Sequence, residues 1–422
     1  MRDVYVVGVG MIRFGKYLDR NVKSLAAEGL YETLADAGIS KEDIEAAYFS
    51  NSGWGFLGEQ HCIRGQVALR PCGISKIPIY NVENACAGGA TAFHLSWLSV
   101  ASGQLDCVLA LGVEKMYDEN VAKVFHAFFF GVDFEKMDEQ MKMLQDVSKN
   151  IKLQIPVDDD IAGAGKSRSA FMDVYSSFAR FHMDKYGSTQ RQLATIASKN
   201  HFHSSMNPNA QFQKKMSVDE ILAARLVSWP LTVPMCAPLG DGSAGAILCS
   251  SEFMKKLPSP RPIKVVASVI GSGSNRTRSE EDEDIAVRLS RKAYDISGVS
   301  PEDIDVAEVH DATAFGELQQ SEALGLCPRG EGGIFAESGA TSLGGKVPIN
   351  VSGGLESRGH PIGSSGLAQI HELVTQLRHE AGARQVQNCR LAIAENGGGN
   401  IGYEEAAMGI HILERVGKRD FQ

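Results

Sequence analysis

What the chain lacks limits its function before any motif is read. Its eight cysteines stand apart at positions 62, 72, 86, 107, 236, 249, 327 and 389 without one C-x-x-C pair, which excludes a zinc ribbon or disulfide framework. Free thiols in a reducing compartment are expected. No stretch is apolar enough for long enough to span a bilayer, MRDVYVVGVGMIRFGKY has no long apolar core, and neither it nor the closing RDFQ is expected to act as a leader, anchor or peroxisomal signal. The expectation is a soluble, cytoplasmic protein with no membrane partner. Lys and Arg form no run and the net charge is −9, so no nucleic acid partner is expected either. Gly8, Gly10 and Gly15 miss the G-x-G-x-x-G spacing of a dinucleotide turn. His201 with His203, and Asp158, Asp159 and Asp160, lack complementary ligands, so no metal site is expected.

What is present is an ordinary globular composition, 43% hydrophobic and 22% charged, with 44 glycines where backbone can approach backbone or ligand. A length of 422 residues exceeds one simple core, and a repeat accounts for it. GISKEDI at 38–44 returns as GVSPEDI at 298–304, each after a helical stretch (25–37 and 285–297) and before an apolar run, EAAYFSN or DVAEVHD. CVLALGVE at 107–114 is echoed by CRLAIAEN at 389–396. Two duplicated βαβ-type halves facing one another are therefore expected, an α/β fold. The first half is placed at 1–116 and 236–255, the second at 256–422, with 117–235 inserted as a loop or lid. In the insertion, Phe134, Met137, Met141, Leu144, Val147 and Ile151 fall at helical spacing and predict an amphipathic helix over 134–151. Two more helices are expected over 170–186 and 190–203. Insertions of this kind usually set substrate choice.

Four segments carry chemistry. In IPIYNVENACAGGATAFHLSW a β-branched run gives way to Cys86 and then a small-residue helix, putting the thiol at a strand-to-helix corner. Unpaired N–H groups and the positive end of the helix dipole there are expected to lower the thiol pKa and to stabilise an oxyanion. His310 closes the strand of DVAEVHDATAF, at the strand end where doubly wound sheets place ligands. His360 sits in GGLESRGHPIGSSGLAQIHEL, where Gly359 and Gly363 leave the backbone open and Pro361 fixes the turn. A glycine cluster, AENGGGNIGYEE at 394–405, would bring bare backbone N–H groups against whatever the cysteine attacks.

Cys86 in NVENACAGG, HDA at 310–312, GHPIG at 359–363 and NGG at 396–398 follow, in order and spacing, the active-site signatures of the thiolase superfamily. The chain resembles that family over nearly its whole length, GDGSAGAIL at 240–248 being similar to the family's DGAAA stretch. The HDA motif and residues 180–208 most resemble the sterol-carrier-protein and archaeal types. The resemblance implies the thiolase fold, two βαβαβαββ halves in a five-layered αβαβα sandwich. It also implies a homodimer, coenzyme A as co-substrate with no cofactor bound permanently, and an acyl-Cys86 intermediate. His360 would take the Cys86 proton, His310 and His360 would hold the oxygen of an acyl-CoA enolate, and the N–H groups of Cys86 and Gly398 would surround the tetrahedral carbon.

One departure stands out. Thiolases use a second cysteine as acid/base at the substrate's α-carbon, at the position of Asn396 in one subtype and of Ala312 in another; here both are replaced. Asn396 cannot exchange a proton near neutrality, which leaves Glu395, Tyr175, Cys236 or a water as substitutes. Loss of that cysteine resembles thiolase-like subunits working with a small zinc-ribbon/OB-fold acyl-CoA-binding partner, as a heterotetramer. Among them is the branch that cleaves 2-benzoylsuccinyl-CoA to benzoyl-CoA and succinyl-CoA. HAFFFGVDF offers Phe128, Phe129 and Phe130 to such an aromatic acyl group. An acetoacetyl-CoA thiolase subunit, a retro-aldolase acting on a β-hydroxyacyl-CoA and a non-catalytic acyl-CoA-binding scaffold stay open as alternatives.

Overall fold

The computed structural model describes residues 1–140, 142–143, 151–154 and 168–417. Its strands are β1 (Val4–Met11), β2 (Ala46–Ser50), β3 (Ile79–Val82), β4 (Cys107–Glu114), β5 (Leu226–Ser228), β6 (Leu231–Thr232), β7 (Gly242–Ser250), β8 (Ile263–Ser272), β9 (Val306–Glu308), β10 (Leu391–Gly398) and β11 (Ala407–Arg415). The paired heptads of the sequence become the same punctuation twice. Helix Val22–Ala37 ends at Gly38 with φ 66° and helix Ile285–Ser297 at Gly298 with φ 69°, left-handed values that glycine adopts without penalty. Ser40 N–H then donates to Asp43 at 2.8 Å, Ser300 N–H donates to Asp303 at 2.9 Å, and β2 or β9 follows.

The sheet order β3-β2-β4-β7-β1-β8-β11-β10-β9 carries the duplication across its width. In the first half β2 runs parallel to β3 and β4, and β7 lies antiparallel between β4 and β1. The second half repeats this: β9 runs parallel to β10, and β11 lies antiparallel between β10 and β8. Within the sheet the halves join where Tyr5 and Val6 of β1 face Lys264 and Ile263 of β8. Helices Gly88–Ala101 and Ser365–Leu377 touch each other and strands of both halves, while Val22–Ala37 packs on the first half and Ile285–Ser297 on the second. The result is the thiolase fold, with α, β, α, β and α layers in turn.

Each layer boundary has its own apolar cluster. Between the halves, Phe93, Leu367 and Ile370 of the two middle helices meet Val6, Val108 and Leu413, all buried. Burying one such side chain contributes ~2 kcal/mol. Leu25 and Leu30 pack outside the first half, Ile285 and Leu289 outside the second. Gly8 and Gly10, which failed as a nucleotide turn, lie in β1 under the first outer helix; a Cβ on them would come within 2.4 Å of Ala37 and 2.3 Å of Thr33.

The helices expected at 170–186 and 190–203 form as Ala170–Tyr186 and Gln190–Ser204, packing against helix Ala314–Ala323. Of the helix expected over 134–151, residues 134–140 and 142–143 are helical, Ile151 is not, and 141 and 144–150 lie outside the described residues, as do Asp158, Asp159 and Asp160. Among the described residues no helix is long and apolar enough to cross a membrane.

Candidate active site

Three strand ends and one loop converge on a buried cavity. After β3 the chain turns through Ala85, whose φ of 48° is unusual for a side chain carrying a Cβ. Such a residue stores roughly 1–3 kcal/mol of strain, and Ala87 N–H to Asn84 O (3.0 Å) and Gly88 N–H to Ala85 O (3.1 Å) hold it in place. The corner delivers Cys86 immediately before helix Gly88–Ala101. From the other half, β9 leads to His310, β10 carries Asn396 and Gly398, and the loop before helix Ser365–Leu377 carries His360.

The side chains singled out in the sequence meet. Donor atoms of Cys86, His310 and His360 lie within 4.8 Å of one another, and the two imidazoles stand at 83° with centroids 5.3 Å apart. Their hydrogen bonds give them opposite tautomers. Ser365 Oγ donates to Pro361 O at 3.1 Å and so accepts from His360 Nδ1–H at 2.7 Å, which leaves the Nε2 lone pair facing Cys86 Sγ at 3.3 Å. Asn396 Nδ2 donates to His310 Nδ1 at 3.0 Å, which puts the His310 proton on Nε2. One histidine is thus ready to accept a proton and the other to donate a hydrogen bond. Gly398 lies against the nucleophile's backbone: a Cβ there would be 2.8 Å from Cys86 N and 2.3 Å from Ala87 N.

The electrostatics differ from the sequence expectation. Burial, with the Glu114 and Glu83 carboxylates, pushes the Cys86 thiol up to about 12. Burial also pulls His310 down to about 4 and, with His310 and Arg358 nearby, holds His360 well below its usual range. The helix start does not create a resting thiolate here. The resting pair is a neutral thiol beside a neutral imidazole, and the proton moves as the thiol attacks.

Glu114, unnoticed in the sequence, braces the site: it accepts from Ser52 N (2.9 Å), Gly53 N (3.0 Å), Asn51 Nδ2 (2.8 Å) and Gly363 N (3.1 Å), tying the β2 end to the His360 loop. Its only sequence signal is an acidic residue closing the apolar run CVLALGVE. Glu395 accepts the His310 backbone N–H at 2.8 Å, which ties it to the backbone behind that histidine. His201 donates or accepts at Ser357 Oγ, whereas His203 bonds Asn350 O and Leu343 N, so the two share no site.

The cavity encloses about 460 Å³. Phe125, Phe128, Phe171 and Met172 make one apolar wall, and Tyr175 and Glu405 border the reacting groups. Of the three phenylalanines in HAFFFGVDF, Phe128 lines this space; Phe129 and Phe130 instead meet His126 edge to face.

The family models agree with this geometry: the thiolase N-terminal domain matches residues 4–222 and the thiolase C-terminal domain-like model residues 274–414. The chain belongs to the thiolase family. It is 35% identical over 418 residues to the acetyl-CoA acetyltransferase of Methanothermobacter thermautotrophicus, covering 98% of this chain and 100% of that one. It is 34% identical to the benzoylsuccinyl-CoA thiolase subunit BbsB of Thauera aromatica, over 94% of this chain and 95% of that one. Among solved structures it matches the Ltp2-ChsH2(DUF35) aldolase with a TM-score of 0.75 at 21% identity, over 98% of both chains. This thiolase is accordingly an acyltransferase acting on acyl-CoA. At the two positions of the family's second cysteine it presents an amide, Asn396, and a methyl group, Ala312.

Proposed function

We propose that the protein cleaves, or in reverse forms, the carbon–carbon bond of a β-ketoacyl-CoA through an acyl-Cys86 intermediate. The observation that carries this reading is the 3.3 Å contact between Cys86 Sγ and the unprotonated nitrogen of His360 at the floor of an aromatic cavity. Cys86 attacks the ketone carbon as its proton passes to His360. The oxyanion so formed sits between the N–H groups of Cys86 and Gly398. Cleavage sends the bonding pair toward the thioester, whose oxygen is held by His310 Nε2–H and by His360, now protonated. The enolate carbon takes up one proton, coenzyme A then attacks the acyl-cysteine and gives up its thiol proton in replacement, and His360 returns its own proton to Cys86. The exposed cations Lys214 and Arg225, both bordering the cavity, would receive the CoA phosphates.

The substrate favoured is 2-benzoylsuccinyl-CoA, giving benzoyl-CoA and succinyl-CoA. Phe125, Phe128 and Phe171 suit a phenyl ring, and the likeness to a benzoylsuccinyl-CoA thiolase subunit supports the same choice. That relative is a subunit, which supports a small acyl-CoA-binding partner of the zinc-ribbon/OB-fold kind here too. A homodimer is favoured by β3, a sheet-edge strand whose Tyr80 is half exposed and which runs directly into the Cys86 corner.

Intact-protein mass spectrometry after mixing with 2-benzoylsuccinyl-CoA or acetoacetyl-CoA tests the reading. The expected result is an adduct of acyl mass that is absent from Cys86→Ala. Turnover without an adduct, surviving Cys86→Ala, would overturn it in favour of a retro-aldolase.

A further inference from the structure

A thiolase without its second cysteine still needs a group that gives a proton to the α-carbon. The cavity around the reacting groups is bordered by two titratable residues from different parts of the chain. Tyr175, on helix Ala170–Tyr186, lays its ring beside the first turn of helix Ala314–Ala323: a Cβ on Gly316 would lie 3.7 Å from Tyr175 Cε1. That turn begins two residues after Ala312, one of the family's two cysteine positions. Glu405 comes from the turn after β10 and touches that strand on the face away from the Asn396 side chain: a Cβ on Gly397 would lie 2.9 Å from Glu405 Cγ. Both side chains line the cavity that holds Cys86 and His310.

We propose that Tyr175 is the catalytic acid/base at the substrate's α-carbon and that Glu405 is the positioning residue that recharges it. The proposal rests on the thiolase reading above. In cleavage the Tyr175 O–H protonates the enolate carbon, completing the released acyl-CoA, and the phenolate takes a proton from the Glu405 carboxyl. When CoA–SH attacks acyl-Cys86, its thiol proton goes to the Glu405 carboxylate. The cycle thus consumes one CoA–SH, returns every enzyme group to its starting state and needs no other reagent.

The surroundings fit these roles. Burial holds the Tyr175 phenol neutral and well above its ordinary range, and among the charges acting on it Glu405 is the strongest, followed by Cys86, Glu395 and Asp311. Burial, reinforced by Asp284, raises Glu405 to about 7, where it can both give and take a proton. Arg276 opposes that rise and Glu404 adds to it, so the groups facing Glu405 do not hold it permanently ionised. Gln320 Nε2 donates to Glu405 Oε1 at 3.4 Å. The competing thiol, Cys236, points its Sγ at Thr232 O (3.5 Å), and burial together with Glu356 drives its pKa upward.

The test separates acylation from α-proton transfer. The full chain, with any protein that co-purifies, is given acetyl-CoA, acetoacetyl-CoA and 2-benzoylsuccinyl-CoA in D₂O; mass spectrometry reads acyl-Cys86 and NMR reads deuterium entering the α-carbon. Wild type is expected to do both. Tyr175→Phe is expected to keep acyl-Cys86, which shows it folded, and to lose α-exchange and cleavage by at least ~100-fold. Glu405→Gln is expected to keep acylation and lose the limb of the cleavage pH profile near 7. Tyr175→Phe that acylates and still exchanges within threefold of wild type would overturn the proposal, as would loss of exchange in Cys236→Ala alone, or a wild type that acylates without α-exchange. No acylation of wild type by any probe would instead overturn the thiolase reading beneath it.

Discussion

The two halves of this chain share a scaffold and divide its chemistry. Aligning the heptad repeats places EAAYFSN over DVAEVHD, so Ser50 and Asn51 occupy the positions of His310 and Asp311. The second echo is shifted by two residues in the structure: β4 beside β2 and β10 beside β9 place Glu114 over Gly398 and Gly112 over Asn396. In the first half these positions brace: Glu114 gathers four N–H donors, one of them from Asn51. In the second half they act: His310 faces the cavity, its tautomer set by Asn396, and Gly398 lies against the backbone of Cys86. The nucleophile goes the other way. Cys86 follows β3, whereas among the described residues the second half has at the matching sheet edge a single bridge, Ala307 to Ile349, and from there the chain runs into the loop that carries His360. Duplication supplied two sets of strand ends pointing into one middle layer; divergence made one of them a nucleophile with its brace, and the other a pair of histidines.

Breaking the acting positions should cost far more than breaking the braces. Cys86→Ala is expected to abolish the acyl adduct and to lower thiolysis by at least about 10⁴-fold in steady-state assays. His310→Ala removes one oxyanion donor and is expected to cost about 10²–10³-fold in kcat, with the adduct still detectable by mass. Asn396→Ala leaves the His310 ring in place but frees its tautomer, for an expected loss of about 10- to 100-fold. Equal losses in His310→Ala and Asn396→Ala would mean that the amide does more than hold the imidazole.

The pH response sharpens the same contrast between a charged and a neutral site. Because the free thiol is held up to about 12 and its partner imidazole is kept neutral, the thiolate fraction of Cys86 rises with pH through the whole accessible range. Alkylation of the free enzyme by iodoacetamide should therefore accelerate continuously from pH 7 to about 10. A plateau near neutrality would instead establish a resting thiolate–imidazolium pair, and with it the helix-start effect that the sequence suggested.

That misreading shows where sequence reasoning ends. The corner at Cys86, the strand end at His310 and the turn at His360 were legible because each is written in a short local pattern of β-branched, glycine and proline residues. The repeat was legible because its cap is local too. The thiol's environment was not: Glu114 lies 28 positions from Cys86 and meets it only after β4 has paired beside β2. Tyr175 could be named from the sequence as one candidate among several, but nothing local singled it out or joined it to Glu405, which comes from the far end of the chain. Helical spacing at 170–186 and 190–203 predicted two helices correctly, yet not that they would rest on helix Ala314–Ala323 of the second half.

The smallest expected effect tests the scaffold itself. Gly38 and Gly298 both end their outer helices in left-handed conformation, at φ 66° and 69°, and a Cβ on either would meet nothing within 4 Å. Replacing each by Ala therefore introduces no clash, and the cost comes from backbone strain alone, about 1 kcal/mol. If the two halves are the same structural unit, Gly38→Ala and Gly298→Ala should lower the urea midpoint by equal amounts while leaving acylation of Cys86 unchanged. Unequal shifts would show that one half unfolds ahead of the other, so that the halves, alike in form, no longer share one cooperative transition.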